Sequence, residues 1–115
     1  MEENPQSSLR VIEFSEAAAL DFAGIDNATA QQWGDTQAER YIAFLREIFA
    51  SLAQEPEMGM RIDSRSGFLM FVAKYSKRRN AHGHRIFYTK IENGILVVRI
   101  LHTAMNWTEI LEGEA

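Results

Sequence analysis

The apolar positions of this 115-residue chain fall into distinct periods. Leu9 to Phe14 is rich in β-formers (Leu9, Val11, Ile12, Phe14) and reads as a first strand. Ser15 can cap a helix with Glu16 in its first turn, and Ala17 to Phe22 suits that helix. Gly24 and Asn27 are candidate breaks, so whether the helix continues to Trp33 or stops at them stays open. Gly34 breaks the chain, and Asp35 or Thr36 can cap a second helix. There Tyr41, Phe44, Leu45, Ile48, Phe49 and Leu52 recur at three- and four-residue spacing and make one apolar face, which Pro56 and Gly59 end. A short link between the helices predicts an antiparallel hairpin.

The second half has strand character. Phe68 to Ala73 reads as a buried strand, followed by a long basic loop with Lys74, Lys77, Arg78, Arg79, Asn80 and Gly83. Arg85–Ile91 and Ile95–Leu101 flank Asn93-Gly94, a dipeptide that favours a type I′ hairpin turn. A two-residue loop there pairs Ile91 with Leu96, Thr89 with Val98, Phe87 with Ile100 and Arg85 with His102 on one face. That face is expected to cover the helices. Lys90 with Val97, Tyr88 with Arg99 and Ile86 with Leu101 would then meet solvent or a partner. The expected class is α+β: an N-terminal strand, a two-helix antiparallel hairpin, a three-stranded antiparallel sheet, and a short C-terminal helix or tail.

Length fits one domain, expected over residues 9–115 behind a flexible acidic segment, residues 1–8. The polar start is not a secretory signal, and no apolar run is long enough to span a bilayer. Absence of cysteine removes thiolate chemistry, disulfides and Cys-ligated zinc, and fits a cytoplasmic protein. The net charge of −4 hides a split. Arg61 to Arg99 holds nine basic and two acidic residues, while the remainder holds three basic and fourteen acidic. Such asymmetry fits either one face that attracts an acidic partner or a solvated strand surface, and both readings stay open.

Several constellations carry chemistry. Arg85, Arg99 and His102 have the residue types of an RNA-cleaving centre, with histidine as general acid or base and arginine against phosphorane charge. The alternative is that Arg85 and His102 close the sheet end through backbone or carboxylate bonds. His82-Gly83-His84 lacks a clear third metal ligand and reads as a turn with solvated imidazoles, so neither metal nor cofactor is expected. Met105, Trp107, Ile110 and Leu111 form an apolar set at near-helical spacing, suited to covering the sheet or to receiving a partner helix.

These elements, in this order, resemble the ParE/RelE superfamily of toxins from bacterial type II toxin–antitoxin modules. The resemblance rests on Val11-Ile12-Glu13-Phe14 with the alanines after it, Ala38-Glu39-Arg40-Tyr41 with Leu45, Phe49 and Leu52-Ala53, then Pro56 and Gly59. His84-Arg85-Ile86-Phe87-Tyr88, Val97 to His102 and Met105 complete it and look most like the ParE branch. Two features depart from it: Asn106-Trp107 stands where an Asp usually follows the Met, and the Lys74 to Gly83 loop is longer.

The resemblance implies a plasmid-stabilisation toxin that inhibits growth by binding DNA gyrase, without an acid–base catalyst of its own, and that a cognate antitoxin neutralises. Arg61, Arg65, Lys74, Arg85, Tyr88, Arg99, His102, Met105 and Trp107 are then the expected partner contacts. Homodimer and toxin–antitoxin hetero-oligomer both stay open. The alternatives are a RelE-like ribosome-dependent mRNA interferase, with Arg85, Arg99 and His102 catalytic, and a non-toxic binding protein on the same fold. Overall acidity and a tail without tyrosine favour gyrase, since a polyanionic RNA target calls for a basic protein.

Overall fold

The computed structural model describes residues 9–62, 67–76, 78 and 81–112. β1 (Val11–Phe14) leads into α1 (Glu16–Trp33) and α2 (Asp35–Gln54). A 3-10 turn (Pro56–Met58) and β2 (Met60–Arg61) precede β3 (Leu69–Ala73), β4 (His84–Ile91), β5 (Gly94–His102) and α3 (Trp107–Glu112). The strands form one five-stranded sheet in the order β1-β5-β4-β3-β2. β1 runs parallel to β5 and the other pairings are antiparallel. The α+β expectation is met, and β2, too short to show a period, extends the sheet.

Ser15 caps α1 as expected: its Oγ accepts the Ala18 amide at 3.0 Å. It also donates to the Val98 carbonyl at 2.7 Å, tying the start of α1 to β5. Gly24 and Asn27 do not interrupt α1, which runs unbroken to Trp33. A glycine inside a helix costs about 1 kcal/mol, which packing against α2 and β5 offsets. Gly34 alone joins the helices at φ +91°, and its N–H reaches the Ala30 carbonyl at 2.8 Å. Neither Asp35 nor Thr36 provides a side-chain cap to α2. Ala38, Ile42, Leu45, Phe49, Leu52 and Ala53 form its buried face.

The β4–β5 hairpin forms, but its register differs from the expected one. Ile91 pairs with Gly94 and Tyr88 with Val97, so Glu92-Asn93 make the turn. Only Asn93 there has positive φ, at 65°, so the turn is not type I′. Gly94 is drawn into the ladder because β1 crosses it closely: a Cβ on Gly94 would stand 1.9 Å from the Val11 carbonyl oxygen. Asn93 fixes the corner further, donating to the Leu9 carbonyl at 3.2 Å and accepting from Arg10 at 2.9 Å.

A bulge in β5, where Val98 is the extra residue opposite the Phe87–Tyr88 step of β4, then shifts the register, so that Phe87 faces Arg99, Arg85 faces Leu101, and His84 faces His102. The sheet faces are exchanged relative to expectation along β4. Ile86 and Tyr88 join Ile95, Val97, Ile100 and the helices in the main core. Phe87 and Leu101 form a second core with Leu111, flanked by Met70, Trp107 and Ile110. Tyr88 is therefore fully buried and not on an open face. Its hydroxyl donates to the Pro56 carbonyl at 2.6 Å and lies where a Cβ on Gly59 would fall.

Candidate functional site: a groove between the helix hairpin and the end of β5

One large concavity, about 1130 Å³, lies between α1, the start of α2, and the chain around Tyr75 to His84 and Arg99 to Met105. Its apolar walls include Ile25, Tyr41 and Ile100, and its margins include Leu20, Trp33, Tyr75 and Met105. Leu20 is 70% and Trp33 67% exposed, so the margin presents large apolar side chains that the fold itself leaves uncovered.

An ion pair forms part of the floor. Arg99 on β5 donates from Nε to Asp21 Oδ2 at 2.8 Å and from Nη2 to Oδ1 at 3.0 Å. The Ile100 amide donates to the same carboxylate at 2.9 Å. The side chains are only 18% and 15% exposed, so the pair is largely desolvated and locks α1 onto β5. Arg99 is thus engaged by Asp21, not displayed beside Tyr88.

Three imidazoles gather at one end. His102 contacts His82 at 5.2 Å between ring centroids and His84 at 5.4 Å. His84 is not solvated: its Nδ1 lies 2.7 Å from the Tyr41 hydroxyl. Burial, with His102 adding to it, pushes the His84 pKa down to about 4, although Asp21 pulls the other way. Burial raises the Tyr41 phenol to about 12. His102 is lowered by burial and then by His82. Its Nδ1 accepts the Ala104 amide at 3.0 Å, which leaves the proton of the neutral ring on Nε2. Among the described residues no group of three or more His, Cys, Asp or Glu can hold a metal ion.

The other expected contacts are dispersed. Arg85 does not lie beside His102. It stands opposite Leu101, on the α3 side, and its Nη1 donates to the Thr103 carbonyl at 2.7 Å. Its buried Nε has no hydrogen-bond partner. The trio Arg85, Arg99 and His102 is therefore divided: the groove includes the last two and not Arg85. Arg61 and Lys74 are exposed, and Arg65 lies outside the described residues. Lys77, Arg79 and Asn80 of the basic loop also lie outside them. Trp107 packs on Phe87 with centroids 5.4 Å apart and covers the sheet, while Met105 stays exposed at the groove. The apolar C-terminal set thus splits between core and groove.

Asp21, Tyr41 and Trp33 are site residues that sequence reasoning did not single out. Tyr41 sits on the apolar stripe of α2 and reads as core. Nothing local marks Asp21 as the partner of an arginine 78 positions away.

The fold is that of a small α+β domain with one large groove, and comparison with known proteins specifies the class. The profile of the family described as "ParE toxin of type II toxin-antitoxin system, parDE" matches residues 12–107. The chain belongs to this family. It is 31% identical over 94 residues to Toxin ParE1 of Mycobacterium tuberculosis, covering 80% of this chain and 88% of that protein. It is 28% identical over 93 residues to Toxin ParE1 of Caulobacter vibrioides, with the same coverage. A solved structure titled "Chromosomal ParDE TA system from P. aeruginosa" shares the fold, with TM-score 0.60, 17% identity, and 80% of this chain and 94% of that one covered.

Proposed function

We propose that this ParE-family chain inhibits bacterial growth by binding DNA gyrase in the cytoplasm, and that a cognate antitoxin neutralises it by seating an amphipathic helical segment in the groove. The observation that carries the antitoxin half is the uncovered apolar margin at Leu20, Trp33, Tyr75 and Met105 around a ready-made concavity. A helix laid there would bury about three to four side chains per two turns, which is how helix-in-groove recognition gains affinity.

For the target half, the support is family membership together with electrostatics. A protein of net charge −4 is poorly suited to a ribosomal RNA surface. The exposed cations Arg61 and Lys74, with Arg85 and Arg65, supply contacts to an acidic patch on the target. No residue acts as an acid–base catalyst on this reading. The interferase reading keeps one supporting observation, that Arg99 and His102 share the groove, but Arg99 is held by Asp21 and Arg85 stands apart.

Induction of the chain in a bacterial host, with and without the antitoxin encoded beside it, tests the proposal. Gyrase inhibition predicts filamentation and induction of the SOS response, both relieved by the antitoxin. Immediate arrest of translation with cleaved mRNA would replace it with the interferase reading. Normal growth would leave a non-toxic binding protein on a ParE fold.

A further inference from the structure

Among the described residues, the histidine end of the groove has no uncommitted carboxylate. His82, His84 and His102 meet there, and Arg78 lines the same end. The charged and titratable groups facing the cluster are Asp21 from α1, Tyr41 from α2, Tyr75 and Arg78 from the loop, and Arg99 from β5. Asp21 is the single carboxylate among them, and Arg99 and the Ile100 amide already engage both of its oxygens. His102 has its Nδ1 committed to Ala104, so its Nε2–H is a donor with a fixed tautomer. His82 is exposed beside it. A cluster with donors and cations and, among the described residues, no uncommitted carboxylate is complementary to an anion.

We propose that His102 and His82 seat a carboxylate side chain of the antitoxin segment that occupies the groove, and that the complex takes up a proton as it forms. This rests on the groove reading above. The free cluster disfavours charge: the rings repel one another once protonated, and His102 and His84 are partly shielded from water. A carboxylate placed against Nε2 of His102 reverses that balance, because an opposite charge within about 4–6 Å favours the imidazolium; the incoming proton goes to Nδ1, which releases the exposed Ala104 amide to water. Binding and protonation are then linked, and each assists the other. His84, deeper and bonded to Tyr41, stays neutral and acts as the wall against which the charged ring packs.

The test is isothermal titration calorimetry of the full chain with the purified antitoxin, in phosphate and in Tris, from about pH 8 to pH 6. The expected result is a binding enthalpy that differs between buffers by an amount corresponding to about one proton taken up. Affinity should rise up to about tenfold per pH unit lowered within the titrating range. His102→Gln keeps a donor but cannot charge, and should abolish both the uptake and the pH slope. His82→Gln, at an exposed position, should reduce them. Trp33→Ala should weaken binding at every pH and leave the proton count unchanged. Buffer-independent heats with flat affinity would overturn the carboxylate seat while the groove reading stands. Proton release, or affinity falling towards acid pH, would overturn it too. Absence of any complex would remove the groove reading along with it.

Discussion

Asp21 is the test of how the groove floor is held. Its carboxylate accepts three hydrogen bonds, two from Arg99 at 2.8 and 3.0 Å and one from the Ile100 amide at 2.9 Å. Asp21→Asn removes the charge and turns an amide NH2 towards donors. The largely desolvated Arg99 guanidinium then loses the Asp21 charge. Breaking a fully buried pair from one side costs roughly 3–5 kcal/mol. The two side chains keep 18% and 15% of their surface, so water recovers part of that, and about 2–3 kcal/mol is expected. With a urea dependence of ~1.5 kcal/mol/M, the unfolding midpoint should fall by about 1.5–2 M. Arg99→Met should also destabilise. The double variant should lose about 1–2 kcal/mol less than the sum of the singles, the signature of a coupled pair. Equilibrium urea unfolding followed by circular dichroism measures all three. If Asp21→Asn keeps the wild-type midpoint, or if the single effects simply add, the ion pair does not hold α1 to β5.

Three further perturbations follow from the same structure. His84 is held neutral in the fold, with its pKa near 4 against an unfolded value near 6.5. Its contribution is complete above the unfolded value and is lost as pH falls from about 6.5 towards 4, at most about 3 kcal/mol. His84→Gln should flatten that slope in unfolding curves taken at successive pH values, and an unchanged slope would contradict the burial argument. Gly94→Ala places a methyl group into the Val11 carbonyl and should cost about 3 kcal/mol by prising β1 from β5. A thermal melt matching wild type would contradict the close crossing. Trp33→Ala should leave stability within about 0.5 kcal/mol, as expected for an exposed side chain, yet weaken antitoxin binding tenfold or more. Equal affinity of the two proteins would place the antitoxin elsewhere.

Much of this architecture is legible in the chain. The apolar stripe of α2, the Ser15 cap and the existence of the β4–β5 hairpin are local patterns. The hairpin register is not local. It depends on β1 crossing Gly94, which turns an Asn-Gly dipeptide from turn into turn-plus-strand, and on a bulge whose Val98 carbonyl is taken by the Ser15 hydroxyl. The pairing is offset from the Asn-Gly register by two residues as far as Tyr88 and by one beyond the bulge, which separates Arg85 from His102, while the exchange of faces along β4 buries Tyr88. The continuity of α1 is hidden because its apolar residues do not line one face, with Leu20 left exposed. At the site, Arg99 and His102 stand out by residue type. The Asp21 carboxylate that engages Arg99 comes from another element, and the histidine cluster is assembled by the pairing of His84 with His102 across two strands.

The central claim, a gyrase-directed toxin silenced through its groove, is tested most directly with purified DNA gyrase. Supercoiling of relaxed plasmid should be inhibited by the chain, with cleaved DNA accumulating, and should recover when equimolar antitoxin is added. The Trp33→Ala variant should inhibit gyrase as wild type does but need more antitoxin for rescue. Undiminished supercoiling at a large molar excess of the chain would contradict the account.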